Sequence, residues 1–355
     1  MCARARQCGR VGGEVTGQGH QIFVDELTRL AAGADDPRLA RIATEVAGPL
    51  RVVVRGRSGV GSGTVARALS AAGVTVTSDS ETADVDVHVI AEVVKPEDSE
   101  AVATSRRPAL VVLNKADLTG FGAGGPVVAA QGRCVPFSAL TGRPTEPMVA
   151  LLAAAALEDG VLDDAALAAL RLLVTEPADL RSTDGFASGP HRLSHDIRAR
   201  LLDTLDLFGI AHSVRALRQG RSAAVRLDSL RAVLRRVSRV DNVVARITVI
   251  GAEVHYRRML DAVARLEALA ITDERIAGFL AADDTVIARM AAAVDVVEAA
   301  GLTVDPGTDP AAQLRRAVRW RRYGRGPVTA AHCACGSDLA RGSLRLWARA
   351  AGRCD

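Results

Sequence analysis

The sequence predicts an α/β architecture, a mostly parallel sheet flanked by helices and followed by an α-helical region. Three observations carry that prediction. Short β-branched runs at 50–54, 74–77, 85–90, 109–113, 127–130 and 135–137 alternate with helical or turn segments, as βαβ units do. Beyond residue 158 such runs almost vanish, and apolar residues recur at helical spacing. Aromatics make up only 3% while Ala, Leu, Val and Arg dominate, which favours helices packed through small residues over an all-β design.

Each element follows in order. Residues 1–19, rich in Gly, Arg and Gln, carry no apolar period and read as a loose N-terminal tail. Helical spacing at 22–30 and 37–46 places two short helices in 20–47, expected to pack on the helical domain. A sheet domain is expected over 48–157, with strand 50–54 entering a glycine-rich turn and then a helix over 64–72. Five or six strands are expected, with 148–157 as the closing helix. An α-helical, stalk-like domain is expected over 158–355, from helical periods at 165–174, 197–208, 229–237 and 254–268. The segment 177–190, with two prolines among Asp, Ser, Thr and Gly, reads as a mobile loop. There is no fixed-period internal repeat.

Composition narrows the function classes. With 48% apolar and 24% charged residues over 355 positions, the chain has the core of a folded two-domain protein and not the make-up of a disordered one. The net charge of +4 is mild and its positive side is almost wholly arginine, with Lys95 and Lys115 the only lysines. Cys2, Cys8, Cys134, Cys333, Cys335 and Cys354 occur without an apolar signal-peptide core at the start, so a reduced, cytoplasmic setting is expected. The longest apolar stretches, such as 149–157, fall short of the roughly 20 residues that span a bilayer, and no transmembrane helix is expected.

The turn after the first strand reads Gly56-Arg57-Ser58-Gly59-Val60-Gly61-Ser62-Gly63-Thr64 and has the glycine spacing of a P-loop. Glycines there let successive backbone N–H groups wrap a phosphate at the positive end of the following helix. The side-chain chemistry is missing: Ser62 stands where the motif has Lys, and Gly63 where it has Ser or Thr. The lysine meets the β- and γ-phosphates and the hydroxyl holds Mg²⁺, so triphosphate binding is weakened. Arg57 or Arg55 is available as a substitute charge, and Thr64 sits one position late for the metal ligand.

A second motif, Asn114-Lys115-Ala116-Asp117, follows the apolar strand 109–113 at once, and Ser138-Ala139-Leu140 follows the run at 135–137. With the glycine loop, these motifs make residues 50–157 resemble a divergent TRAFAC-class P-loop GTPase domain, so the α/β fold is expected to be P-loop GTPase-like. The chemistry of N-K-x-D is guanine reading. The Asp117 carboxylate accepts from the ring N–H and the exocyclic amine, a donor pair that adenine lacks. Asn114 ties the loops together, and Lys115 lays its aliphatic stem along base or ribose with its charge solvated. In the S-A-K/L motif that Ser138, Ala139 and Leu140 match, backbone N–H groups contact guanine O6. The D-x-x-G motif between these is absent. The run Asp84-Val85-Asp86-Val87-His88-Val89-Ile90 fits the following strand, its two Asp residues facing solvent or an edge.

The whole chain is similar to bacterial dynamin-like GTP-binding proteins. That resemblance is carried by Leu201-Leu202-Asp203, Leu207-Phe208-Gly209 and Ala216-Leu217-Arg218, then by Leu234-Arg235-Arg236 and Val240-Asp241-Asn242. It implies GTP or GDP binding, self-association and membrane association, with helices before and after the G domain forming a stalk-like bundle. The eroded P-loop and absent D-x-x-G speak against firmly held Mg²⁺ and against hydrolysis, and no catalytic or metal-ligating residue is assigned. The expectation is a guanine-nucleotide-binding regulatory or scaffold protein with weak or no hydrolysis, acting with a paralogous GTPase or with itself. Two alternatives stand beside it: a nucleotide-free pseudo-GTPase serving as an interaction module, and an active GTPase with unorthodox phosphate and Mg²⁺ ligands.

Two further constellations are read. Residues 313–325 hold Arg315, Arg316, Arg319, Arg321, Arg322 and Arg325 with Trp320 and Tyr323 and no acid. On a helix, Leu314, Ala317 and Val318 make an apolar side. A solvated or partner-facing arginine stripe is the first reading, a peripheral contact with anionic membrane the second, and nucleic acid the third. His332, Cys333 and Cys335, with Cys2, Cys8 or Cys354, supply zinc-type ligands, but the C-x-C spacing departs from the C-x₂₋₄-C knuckle, which makes buried thiols the default.

Overall fold

The computed structural model describes residues 18–34, 36–120, 124–219 and 226–352. Helices α1 (Gln18–Ala32) and α2 (Pro37–Ala47) precede β1 (Arg51–Gly56), α3 (Ser62–Ala71), β2 (Thr75–Val76) and β3 (Val85–Ala91). Next come α4 (Pro96–Ala103), β4 (Ala109–Asn114), a 3₁₀ turn at Ala116–Leu118, α5 (Pro126–Thr141), β5 (Thr145–Pro147) and α6 (Ala150–Leu157). Then follow α7 (Asp164–Thr175), α8 (Thr183–Ser188), α9 (His195–Gln219), α10 (Leu227–Ser238) and α11 (Val240–Ala270). The remaining helices are α12 (Glu274–Ala281), α13 (Asp283–Ala299), α14 (Pro310–Tyr323) and α15 (Ala330–Ala351). The described structure is thus α/β, with a parallel sheet flanked by helices and further helices beyond it. Residues 1–17, with Cys2 and Cys8, and Cys354 lie outside the described residues, while Gln18 and Gly19 already belong to α1.

Two compact units divide the chain, residues 51–247 and residues 1–50 with 248–355. In the first unit all strand pairs are parallel, in the order β2-β1-β3-β4-β5. The order reverses beside β1, so β1 and β3 flank a switch point, and the crevice outside their carboxyl ends is where open α/β sheets take ligands. β4, Ala-Leu-Val-Val-Leu-Asn, is buried along its whole length, which is why its sequence reads as a continuous apolar run. β3 alternates instead, with Val85, Val87 and Val89 buried and Asp86 and His88 half-buried between them.

The first unit ends ninety residues later than the expected boundary after 157. Burial is the reason: one apolar cluster runs from Leu113 of β4 through Leu152 of α6 into Leu170 of α7, Leu205 of α9 and Leu234 of α10. α9 and α10 pack on α6, whose sequence, Ala-Leu-Leu-Ala-Ala-Ala-Ala-Leu, is apolar on every side and has to be enclosed. Within the segment 177–190, the short helix α8 buries Phe186 in the same cluster.

The strands expected at 127–130 and 135–137 are not strands. Both runs lie in α5, which starts on Gly125 with Pro126 in its first turn. Along it Ala130, Cys134 and Thr141 are buried while Val128 and Val135 are exposed, a helical and not an alternating pattern. The strand that closes the sheet is Thr145-Glu146-Pro147, too short to stand out. It is an edge strand, where a proline is tolerated. Glu146, nearly buried, pairs with Arg246 at 2.9 Å.

In the second unit α1 and α2 pack with α11 and α13 around Phe23, Leu27, Tyr256, Met259 and Val297. Asp338 of α15 is buried and satisfied from two sides, by Tyr256 Oη at 2.9 Å and by Arg289 at 2.8 Å. A buried carboxylate is tolerated only when paired and hydrogen-bonded in this way. The apolar side expected for the arginine-rich helix is wrong in position. On α14 the buried residues are Ala312, Gln313, Arg316, Ala317 and Trp320, while Leu314 and Val318 are exposed. The buried Arg316 is held by Ser343 Oγ at 2.9 Å and by the carbonyls of Asp305 and Gly307, so packing of Trp320 and not hydropathy alone sets the inner face. On α15, Cys335 is buried with its thiol pushed up to about 12 by desolvation, and His332 Nδ1 pairs with Tyr323 Oη. No helix among the described residues is long and apolar enough to cross a membrane.

One ionisable pair in this unit links fold to pH. His20 of α1 is buried with its ring 4.1 Å from that of His255. Burial first, and the neighbouring His255 second, bring the His20 imidazole down from 6.5 to about 4. Between those values the unfolded chain takes up a proton that the folded chain refuses. Stability is therefore complete above pH 6.5 and falls as the pH drops towards 4, by about 3 kcal/mol from this group. Urea denaturation followed from pH 7.5 to pH 4.5 is expected to show this loss, and His20→Phe to flatten it. A His20→Phe protein with the full wild-type slope would place the pH dependence elsewhere.

Candidate functional site

β1 delivers Gly56 to the carboxyl end of the sheet, where the chain turns through Gly59 and Gly61 at φ +84° and +83°. Side chains with a Cβ avoid that left-handed region, so both positions call for glycine. Gly61 is the N-cap of α3 and has no side-chain cap, leaving the N–H groups of the first helical turn, Ser62, Gly63 and Thr64, without intrahelical partners. Such a turn attracts an anion.

β4 delivers the second half. Asn114, 4% exposed, donates from Nδ2 to the Val60 carbonyl at 2.9 Å and accepts at Oδ1 from the Ala150 amide at 3.1 Å. One side chain thus ties the glycine loop, the end of β4 and the start of α6. Lys115, itself left-handed at φ +56°, donates from Nζ to the Gly59 carbonyl at 2.9 Å. The Ala116 amide bonds Met148 O at 3.2 Å, which fixes the 3₁₀ turn that carries Asp117.

Gly61, Thr64, Asn114, Lys115 and Asp117 line one cleft of about 260 Å³, closed on its other sides by Leu118, by Val149 to Leu151, and by Leu205 and Asp206 of α9. Asp117 is half-buried, and no ion pair among the described residues takes its carboxylate. Burial raises its pKa above the ordinary carboxylate value, and the nearby Asp206 adds to the rise while Lys115 opposes it. The cleft therefore combines a carboxylate acceptor, an exposed lysine stem and apolar walls.

Ser138, Ala139 and Leu140 do not join this site. They lie in the last turns of α5, with Leu140 66% exposed, because the helix that replaces the expected strand carries them away from the sheet's carboxyl edge. The cleft is lined instead by Val149 to Leu151, which follow β5 and enter α6. The order strand, turn, apolar helix at 145–157 is the signal that would have found them. Leu205 and Asp206 have no local signal, since they come from a kink in α9 far along the chain.

The glycine-loop end of the cleft is differently furnished. Arg57 does not reach towards the cleft as a substitute for the missing lysine. Its Nε donates to both oxygens of Asp98, at 3.0 and 3.1 Å. Asp98 is fully buried and also receives the Lys95 amide at 3.0 Å and His88 Nε2 at 3.1 Å. Burial alone would raise the Asp98 pKa, but the bonds from Arg57, the Lys95 amide and His88 outweigh it and hold the carboxyl below its usual value. Arg55 lines the same separate pocket beneath α4. In the segment after β2, where D-x-x-G is absent, Asp79 accepts from the Glu81 amide at 2.8 Å in a local turn. Asp84 accepts from the Arg51 amide at 2.8 Å, and Asp86 pairs with Arg107 at 3.1 Å, so the two carboxylates expected at an edge or in solvent hold backbone and arginine instead. No cluster of three His, Cys, Asp or Glu side chains suited to a metal occurs among the described residues.

Comparison of the chain with protein-family models, with curated proteins and with solved structures gives no match.

The geometry sets an order between two substitutions. A Cβ on Gly61 would lie 2.6 Å from Asn114 Nδ2, whereas a Cβ on Gly59 would meet nothing within 4 Å. Gly59→Ala is expected to cost about 1 kcal/mol, from backbone strain alone, and Gly61→Ala about 2–3 kcal/mol because it also breaks the Asn114 tie. Chemical denaturation checks this, and equal costs at the two positions would contradict the role given to Asn114.

Proposed function

We propose that this chain is a guanine-nucleotide-binding protein with little or no GTP hydrolysis, acting as a regulatory or scaffold component beside another GTPase, in the manner of the dynamin-like proteins it resembles. The observation that carries the reading is the pair of bonds from Asn114 to Val60 O and from Lys115 to Gly59 O, which lock an N-K-x-D turn onto a glycine loop with Asp117 open to the cleft.

In this reading the base lies between the Lys115 stem and the apolar wall of Leu118 and Val149. Asp117 accepts from the ring N–H and the exocyclic amine of guanine. The diphosphate runs towards Gly59, Gly61, Ser62, Gly63 and Thr64, where unpaired amides at the start of α3 supply the positive end. Gly56 ends β1 so close to β3 that a Cβ would lie 2.6 Å from the Val89 carbonyl, and the loop starts from it. The bond of Arg57 to Asp98, with Ser62 and Gly63 in place of Lys and Ser or Thr, leaves a γ-phosphate and Mg²⁺ without the side chains that hold them. The site therefore suits GDP at least as well as GTP, and the residues present do not fit Mg²⁺ in its P-loop role.

Calorimetry with GDP, GTP and ADP tests the reading. Guanine nucleotides are expected to bind in preference to ADP, with GDP no weaker than GTP. Asp117→Ala is expected to weaken GDP by about 10- to 100-fold, the worth of two charge-assisted hydrogen bonds. Phosphate release from GTP is expected to stay at the rate of buffer. ADP binding as well as GDP, or no binding of either at millimolar concentration, would sink the proposal.

A further inference from the structure

Helix α9 is interrupted at one residue. Asp206 adopts φ +54°, ψ 174°, a conformation that non-glycine residues avoid, and it does so in the middle of a 25-residue helix. The residue before it, Leu205, is fully buried in the core of the first unit, and Gly209 after it lets α9 approach α6 so closely that a Cβ there would lie 2.4 Å from Leu152 Cδ2. Packing on both sides of the break holds the strained residue in place. Its carboxylate accepts from the Leu207 amide at 2.6 Å and has no basic partner among the described residues. The outcome is that Asp206 lines the same cleft as Asp117.

Two carboxylates facing one cleft with a single lysine disfavour an anion at this end and favour a neutral, donor-rich edge. Guanine offers three N–H bonds along that edge, one on the ring and two on the exocyclic amine. Asp117 has oxygens for the ring N–H and one amine hydrogen, and a second acceptor is required for the other. We propose that Asp206 is a second base-reading residue of the cleft, accepting the remaining hydrogen of the guanine 2-amino group. This rests on the guanine reading of the same cleft and deepens it, because it assigns the 2-amino group its own recognition and so excludes hypoxanthine as well as adenine.

The test compares GDP with inosine diphosphate, which differs only in lacking the 2-amino group, on the full-length protein. Three proteins are titrated: wild type, Asp206→Asn and Asp206→Gly. Asp206→Gly removes the carboxylate but suits the left-handed backbone, so it is expected to melt no lower than wild type. It is expected to weaken GDP about tenfold and to leave inosine diphosphate unchanged, cutting the preference between the two about tenfold while the Asp117 contact to the other amine hydrogen remains. Asp206→Asn keeps one acceptor oxygen and is expected to retain most of that preference. If wild type binds GDP but Asp206→Gly weakens both nucleotides equally or neither, the role of Asp206 is overturned while the guanine reading stands. If wild type binds neither nucleotide, the guanine reading fails and the role of Asp206 with it.

Discussion

The buried amide of Asn114 is the interaction on which the rest of the site depends. It is 4% exposed, donates to Val60 O and accepts from the Ala150 amide, so it joins three segments that arrive from β1, β4 and β5. A buried amide with both groups paired specifies one arrangement, since any other leaves a donor or acceptor without a partner. Gly61 has to be glycine for that contact to form, Lys115 repeats the tie one residue along, and Asp117 is left free to face the cleft.

At the other end, an internal network uses the charges that a phosphate would need. Arg57 follows the first glycine of the loop and turns to Asp98, which α4 and β3 surround with His88 and the Lys95 amide. Removing Arg57 from that network would strand a buried carboxylate, which is costly. The loop is thereby held by protein contacts without an anion. A loop so held, beside a cleft with a free carboxylate, is the basis of the proposal that a nucleotide here would be a structural or regulatory ligand and not a substrate.

Much of this was legible in the sequence, and the rest was hidden for identifiable reasons. β4 and its turn were legible because a fully buried parallel strand reads as an unbroken apolar run, and the polar residues after it stand out. The glycine loop was legible through spacing, and its missing Lys and Ser or Thr were readable by position. α5 was misread because Val127, Val128 and Val135 favour strands locally, and Pro136 suggests a break, whereas burial of Ala130, Cys134 and Thr141 sets a helical period. The misreading placed a loop motif at Ser138–Leu140, which are helical, and hid the strand Thr145–Pro147. The inner face of α14 was missed because Arg316 is satisfied by Ser343 and two carbonyls, partners that no local pattern shows. Asp206 was invisible for a similar reason, being brought to the cleft by a break in α9 that tertiary packing maintains.

Amide hydrogen exchange with and without GDP tests the central claim most directly, because it reports each loop separately. The account predicts that GDP slows exchange at 59–65, 115–118 and 149–151, that ADP does not, and that α13 to α15 are unaffected. Protection by ADP equal to that by GDP, or GDP protection confined to the pocket of Arg57, His88 and Asp98, would contradict it.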